Sequence, residues 1–184
     1  LYSSAASDVY KRQIIDTDVI AHEIVEPNSD CLNELVDYFG DSILNDDKTL
    51  NRKKLASIAF SDKQKTEALS NITHKYIKAE VVTDINTTDA ELVGIDGAVI
   101  IGSNVEPLCE FIVSVIADKQ SRITRIKTRD NITDEQAIQR INAQNDDEFY
   151  KENSMYIIYN NGDLAQLESC LLYTSPSPRD RPRS

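Results

Sequence analysis

Two carboxylates separated by one residue follow an apolar pair near the start of the chain. Asp16 and Asp18 come directly after Ile14 and Ile15 and precede an amphipathic turn that ends at Pro27. In an α/β protein this order is typical of a buried parallel strand whose carboxyl end delivers acidic groups to a ligand crevice. Catalytic groups are often placed at such strand ends. On spacing alone, an Asx-type turn with an acidic helix cap is the competing interpretation.

Three amphipathic helices are predicted in residues 28–80, after this turn. The first lies between the capping candidates at 28–30 and Gly40, the second begins after Asn51, and the third begins at Ser61 or Asp62. Residues 81–92 are polar and threonine-rich, and their pattern is compatible with a helix end, a loop or a short strand.

Short apolar runs rich in β-branched residues predict three further strands, at 98–101, 111–117 and 155–159. A helix is predicted at 119–130, and Thr133 with Gln136 forms a capping box that opens another. Strands alternating with helical segments predict an α/β fold with a mostly parallel sheet.

Several segments, in the same order along the chain, resemble the dephospho-CoA kinase family. Residues 14–27 resemble its Asp-x-Asp-x-Ile-Ala-(Arg/His)-x-Val-Val-x-Pro pattern. The further segments are residues 49–60, 69–74, 125–130, 137–144 and 156–162. The resemblance extends from Ile14 to about Leu167 and implies a phosphate-loop kinase with a three-layer α/β/α architecture.

The reaction implied by this resemblance is ATP-dependent phosphorylation of the ribose 3′-hydroxyl of dephospho-CoA, in coenzyme A biosynthesis. The small-molecule substrates would be ATP and dephospho-CoA, with Mg²⁺ as the cofactor. Phosphoryl transfer needs a placed hydroxyl, a carboxylate to accept its proton, and cations around the transferred group. Asp18 matches the catalytic aspartate of the family, whereas Asp16 is expected to set the turn or to belong to the metal shell. No residue is assigned as a direct metal ligand.

Four residues are assigned to the acceptor-substrate side by the resemblance: Asp16, His22, Arg52 and His74. For the two histidines a purely structural role is the competing interpretation, and their spacing does not support a zinc site.

The residues that contact ATP are expected on a lid. Arg125 and Arg129 are spaced i, i+4 on one predicted helix face. The resemblance implies that lid arginines contact ATP phosphates, which suits a planar donor. Arg140 and Gln144 are assigned to the end of the lid, in contact with the nucleotide or with the lid itself. A solvated basic stripe and simple helix capping are the alternatives.

Departures from the family pattern occur at three positions. Ala98 replaces a proline and Gly102 a glutamate in its Asp-x-Pro-Leu-Leu-x-Glu segment, and Lys75 replaces the proline after His74. These departures indicate a divergent member or errors in the sequence.

The two ends of the chain, residues 1–13 and 170–184, resemble translated sequencing-adaptor DNA in its two orientations; a vector scar or a natural tail is the competing account. The family's Gly-x-x-x-x-Gly-Lys-Ser/Thr phosphate loop has no counterpart, since the chain contains no Gly-Lys dipeptide. We therefore expect a kinase fragment that lacks the first strand, phosphate loop and first helix and is inactive as written. Residues 1–13 are expected to form a loose helix or coil.

The expected domain organisation follows from these assignments. Residues 14–27, 81–118 and 155–169 form the α/β core, and 28–80 the helical acceptor-substrate subdomain. Residues 119–154 form the lid and the helix after it.

Composition limits the partners. The chain has 31 acidic against 20 basic residues, a net charge of −11, which argues against a nucleic-acid or membrane surface. No apolar run approaches the length of a membrane span and no secretory pattern is visible, so a cytoplasmic location is predicted. Cys31 and Cys109 are expected to be buried free thiols. The oligomeric state is left open.

Two other functions are compatible with the sequence. One is a different small-molecule kinase of the nucleoside monophosphate type. The other is a non-catalytic helical interaction module.

Overall fold

Two pairs of parallel strands are present in the computed structural model, which describes residues 11–162, 165 and 167. The chain divides into two units, Leu1–Cys109 and Glu110–Ser184, and each pair of strands belongs to one unit. The described residues thus confirm the α/β class and the parallel strand direction.

The first unit consists of two strands and four helices in its described residues. They are β1 (Arg12–Asp16), α1 (Thr17–Glu23), α2 (Asp30–Phe39), α3 (Arg52–Ala59), α4 (Lys63–Thr87) and β2 (Leu92–Asp96), with 3-10 turns at Asp41–Ile43 and Glu106–Leu108. Strand β1 pairs with β2 so that Ile15 lies beside Ile95 and Asp16 beside Asp96. The carboxyl ends of both strands therefore lie side by side.

Side-chain caps determine where these helices begin. Ser29 Oγ accepts a hydrogen bond from the backbone N–H of Leu32 at 3.2 Å, and Asn51 Oδ1 accepts one from Lys54 at 3.0 Å. Asp62 caps α4 in the same way. Each bond satisfies a backbone donor that the first helical turn leaves unpaired. The predicted starts of α2, α3 and α4 are confirmed.

The core of this unit lies between its helices and one face of β1. Leu35, Ile43 and Val81 are each 0% exposed. Cys31 is also buried, and burial raises the pKa of its thiol to about 11. Cys109 is half-buried. Burial in β1 is one-sided, since Ile15 is buried while Ile14 is 66% exposed.

Between residues 113 and 159 the second unit has two strands and three helices. They are β3 (Val113–Ile116), α5 (Lys119–Asp130), α6 (Asp134–Asn142), α7 (Asp147–Glu152) and β4 (Tyr156–Tyr159). Ser114 of β3 lies beside Ile157 of β4. The capping box of Thr133 and Gln136 is present. The predictions of β3, α5, α6 and β4 are confirmed.

The strand predicted at 98–101 is wrong, because these residues lie in turns that follow β2. Residues 81–92, whose pattern is compatible with a helix end, a loop or a short strand, hold the last two turns of α4, with Val81 buried, and the first residue of β2. An apolar run signals burial, but periodicity cannot distinguish a strand from a buried loop. Strand β2 was missed because Gly94 and the polar residues before it weaken its pattern.

The prediction of a loose helix or coil at residues 1–13 is wrong for residues 12 and 13, which form part of a strand. Arg12 and Gln13 form the first two positions of β1 and lie beside Leu92 and Val93. Residues 1–10 and 170–184 lie outside the described residues.

Removing a buried side chain from the core should destabilise the first unit far more than removing an exposed one. We expect Ile43→Ala to lower the free energy of unfolding by about 2–5 kcal/mol, because it leaves a cavity at a fully buried position. The matched control is Ile14→Ala, at a 66% exposed position, with an expected loss of about 0.5 kcal/mol. Urea unfolding followed by circular dichroism measures both, and equal losses would contradict the described core.

Candidate active site

The junction between β1 and α1 is set by Asp16. Its Oδ1 accepts hydrogen bonds from the backbone N–H groups of Asp18 at 2.9 Å and Val19 at 3.1 Å. The Asp16 carboxylate is thus the N-cap of α1, which confirms the predicted role in the turn. Asp18 follows in the first helical turn, with its side chain exposed to solvent.

A second contact ties this junction to the end of β2. Thr17 Oγ1 donates a hydrogen bond to the backbone carbonyl of Asp96 at 2.9 Å. A Cβ on Gly97 would lie 2.0 Å from that same hydroxyl oxygen, so the close approach requires glycine. Threonine at 17 and glycine at 97 together hold the two strand ends in contact. The sequence analysis missed both residues, although Thr17 lies between the two aspartates.

A cavity of about 420 Å³ opens beside Asp18. Three residues that the sequence predicted for the site line it: Asp18 of α1, Arg52 of α3 and His74 of α4. Most of the remaining lining is apolar, from Ala21, Val25, Leu35, Leu50, Leu55, Ala56, Phe60, Leu69, Ile77, Val99, Ile100 and Val105. One carboxylate, one guanidinium and one imidazole thus meet at an apolar pocket.

His22 does not line this cavity but contacts a residue that does. Arg52 Nη2 lies 2.8 Å from His22 Nδ1. Because a guanidinium can only donate, Nδ1 is the acceptor in this bond. Asp16 is likewise outside the lining. Of the five residues predicted for this side of the site, three line the cavity and two support them from α1 and its cap.

Polar residues that the sequence analysis did not single out complete the lining. They are Thr17, Ser70, Thr73, Ser103 and Asn104. Asn104 Nδ2 donates to the backbone carbonyl of His74 at 2.9 Å, while Asn104 Oδ1 is buried with no hydrogen-bond partner. Thr17, Ser70 and Thr73 lie in segments that resemble the family, but no local pattern gives these residues a place in the cavity, because they converge only after folding.

Two of the departures from the family pattern have local partners. Lys75 Nζ lies 2.5 Å from Glu34 Oε2, which also accepts from Tyr76 at 2.7 Å, so Lys75 ties α4 to α2. The bonds from Lys75 and Tyr76 lower the pKa of the Glu34 carboxyl. The backbone N–H of Gly102 donates to Glu106 Oε2 at 2.6 Å. A carboxylate therefore contacts position 102 even though the residue there is glycine.

In the second unit, Arg125 binds the loop after β4. Its Nη1 donates to the carbonyl of Asn160 at 2.8 Å and its Nη2 to the carbonyl of Gly162 at 2.9 Å. Asn161 Oδ1 accepts from the backbone N–H of Asp118, which caps α5. The bond between Asp118 and Asn161 thus joins the start of α5 to this loop, and Arg125 joins the middle of the helix to it.

The other predicted lid arginines converge on one carboxylate. Arg129 makes two bonds to Asp130, at 2.7 and 3.0 Å, and Arg140 of α6 pairs with the same carboxylate. These bonds, the one from Arg129 foremost, lower the pKa of Asp130. Gln144 is exposed beyond the end of α6. Asp130 was part of a segment used for the resemblance, but its role as the bridge was not predicted.

Within residues 11–162, no three Cys, His, Asp or Glu side chains lie close enough together to hold a metal ion. Asp16 Oδ1 is engaged in capping α1. None of the helices described is long and apolar enough to cross a membrane.

Parallel strands and an apolar cavity lined by a carboxylate are typical of an α/β protein that binds a small molecule at a strand end. Comparison with known proteins narrows the class. The family model described as dephospho-CoA kinase matches residues 2–166. The chain belongs to the dephospho-CoA kinase family. The match begins ahead of Ile14, within the segment that the sequence analysis set apart as foreign.

Individual relatives agree with this family. Dephospho-CoA kinase from Lactobacillus johnsonii is 33% identical over 174 residues, which cover 91% of this chain and 88% of the relative. A solved structure of dephospho-CoA kinase from Campylobacter jejuni matches with a TM-score of 0.60 at 25% identity, over 91% of this chain and 86% of that one. The crystal structure of TT1252 from Thermus thermophilus has the same fold, with a TM-score of 0.76 at 22% identity over 94% and 90% of the two chains.

The contact between Thr17 and Gly97 predicts a non-additive pair of substitutions. Gly97→Ala should cost about 1–3 kcal/mol of stability, because the new methyl group collides with the Thr17 hydroxyl. Thr17→Ala should cost about 1 kcal/mol through the lost hydrogen bond. In the double variant the collision is relieved, so its loss should be smaller than the two single losses together. Thermal and urea unfolding measure all three variants, and additive losses would show that the two residues are not coupled.

Proposed function

We propose that the cavity of the first unit binds dephospho-CoA and that Asp18 accepts the proton of its ribose 3′-hydroxyl during phosphate transfer from ATP. The observation that carries this proposal is the convergence of Asp18, Arg52 and His74 on one cavity. The three come from different helices and lie up to 56 residues apart in sequence, so their meeting is a property of the fold.

The cavity has the chemistry that this acceptor needs. Dephospho-CoA combines an adenine and an extended pantetheine arm with a diphosphate and a free ribose hydroxyl. The apolar lining suits the adenine or the arm, and the Arg52 guanidinium suits the diphosphate, since arginine binds phosphate through planar, paired donors. His74, which lies on α4, is a further polar group that can contact the acceptor.

Asp18 has the position of a general base. It lies in the first turn of α1, exposed at the cavity, where a substrate hydroxyl can approach its carboxylate. The neighbouring Asp16 caps the helix through its Oδ1 and is not among the residues that line the cavity. A carboxylate that accepts the hydroxyl proton as the bond to phosphorus forms is what this class of transfer requires.

The ATP side is assigned to Arg125, Arg129, Arg140 and Gln144. Support comes from the convergence of Arg129 and Arg140 on the Asp130 carboxylate, because two guanidiniums that meet at one anion can also meet at a phosphate. Arg125 also donates from Nη2 to Asn160 Oδ1 at 3.3 Å, so that three of its five N–H donors are used within the second unit. ATP serves as the phosphate donor, and Mg²⁺, when bound, would supply positive charge that offsets the charge of the phosphates.

The remaining assignments are retained as parts of this proposal. Residues 28–80 are the acceptor-substrate subdomain. This assignment is supported by Arg52 of α3 and His74 of α4, which both line the cavity. Helix α4 itself continues to Thr87. Residues 119–154 are the lid and the helix after it. The cytoplasmic location stays a prediction.

Calorimetric titration of this chain with dephospho-CoA tests the acceptor site. We expect Arg52→Leu to weaken binding by roughly tenfold to a hundredfold, because a hydrogen bond to a charged group contributes about 1.5–3 kcal/mol. The matched control is Lys53→Leu, at the next position of α3, which is exposed and is not part of the cavity lining. The control should bind as the unmodified chain does.

Titration with AMP separates the competing functions. Tighter binding of AMP than of dephospho-CoA would favour a nucleoside monophosphate-type kinase. Binding of neither nucleotide would favour a helical interaction module and would contradict the proposal.

Phosphate transfer by the chain as given is expected to be absent, because its sequence contains no Gly-Lys dipeptide to cradle the ATP phosphates. A coupled assay with ATP, Mg²⁺ and dephospho-CoA measures this, with the Lactobacillus johnsonii enzyme as the positive control; turnover above background would refute the expectation. In a fusion that joins a phosphate loop ahead of β1, Asp18→Asn should lower turnover by about 10²–10⁴. Asp37→Asn, on the exposed face of α2, should leave it unchanged.

A further inference from the structure

One polar contact joins α1 to α3 directly beside the cavity. His22 Nδ1 and Arg52 Nη2 lie 2.8 Å apart, although the two residues are 30 positions apart in sequence. Both side chains are exposed, and only Arg52 reaches the cavity. The bond therefore connects a cavity-lining cation to a residue that does not touch the cavity.

Arg52 needs such a partner because of where it stands. It is the first residue of α3, directly after the Asn51 cap. The amino end of a helix carries a partial positive charge, which disfavours a cation there. A long, exposed arginine side chain also has many rotamers, and each must be given up when it binds a ligand. A fixed acceptor near the guanidinium reduces both costs.

His22 can supply that acceptor only in one protonation state and one tautomer. A guanidinium stays charged and only donates, so the Nδ1 lone pair must receive the bond and the ring proton must reside on Nε2. The neutral ring adds no second positive charge next to Arg52. Histidine therefore differs at this position from arginine or lysine, which would repel the guanidinium.

The place of His22 on α1 links this contact to Asp18. The two residues are spaced i, i+4 and so share one face of the helix. Holding Arg52 at His22 thus keeps the guanidinium on the Asp18 side of the cavity, where the acceptor must present its hydroxyl.

We propose that His22 is a positioning residue, whose neutral Nδ1 holds the Arg52 guanidinium in place to bind the diphosphate of the acceptor. This inference rests on the proposed function of the cavity. It gives His22 a role through Arg52, in place of the direct substrate contact that the resemblance implies.

Titration of the full chain with dephospho-CoA, the probe ligand, tests the role. We expect His22→Leu to raise the Kd roughly fivefold, because the ligand must then order Arg52 itself. His22→Asn should stay within about twofold of the unmodified chain, since its amide oxygen can occupy the place of Nδ1. In the Arg52→Leu background, His22→Leu should add nothing. A purely structural role would instead give equal losses in both backgrounds and no rescue by asparagine.

The imidazole nitrogens give a readout that does not depend on binding. In ¹⁵N spectra of the unliganded chain at pH 8, His22 should show an unprotonated Nδ1 whose signal moves in the Arg52→Leu variant. A protonated Nδ1 would overturn the inference.

The two proposals fail in different ways. If the unmodified chain does not bind dephospho-CoA, the proposed function and this inference both fall. If it binds and His22→Leu binds equally well, only the role of His22 falls.

Discussion

The hydrogen bond from Thr17 to the carbonyl of Asp96 is the constraint on which the site depends. It joins the carboxyl ends of β1 and β2 at the point where α1 begins. Gly97 is needed there because any side chain would occupy the space of the threonine hydroxyl. With the strand ends held together, the cap formed by Asp16 aims α1 so that Asp18 reaches the cavity. A shift at this junction would move the carboxylate away from Arg52 and His74.

Electrostatics set the second constraint. In a chain with a net charge of −11, anionic substrates can be bound only where cations are held in fixed places. The structure fixes them through neutral or anionic partners: His22 for Arg52, backbone carbonyls for Arg125, and Asp130 for both Arg129 and Arg140. The same principle explains Lys75, whose charge is matched by Glu34 on a neighbouring helix. Each cation is therefore oriented before any ligand arrives.

Much of the fold could be predicted from local signals, since caps and periodicity act within one turn of chain. Asn51, Asp62 and Thr133 begin helices where their side chains predicted them. The failures are of another kind. The apolar residues at 98–101 are turn residues beside the cavity rather than a strand, and β2 was hidden by Gly94. Whether an apolar segment forms a strand or a turn depends on whether a partner strand lies beside it. The local sequence pattern carries no information about that partner.

The sequence alone determined the family, the α/β class and three candidate site residues, Asp18, Arg52 and His74. Residue type and order along the chain carry that information. Only the tertiary structure decided which of the candidates meet. It brought those three to one cavity and paired His22 with Arg52. It also joined the predicted lid arginines Arg129 and Arg140 through Asp130, whose bridging role no local pattern predicted. The physical reason is that these contacts join residues tens of positions apart, and their geometry exists only once the helices have packed.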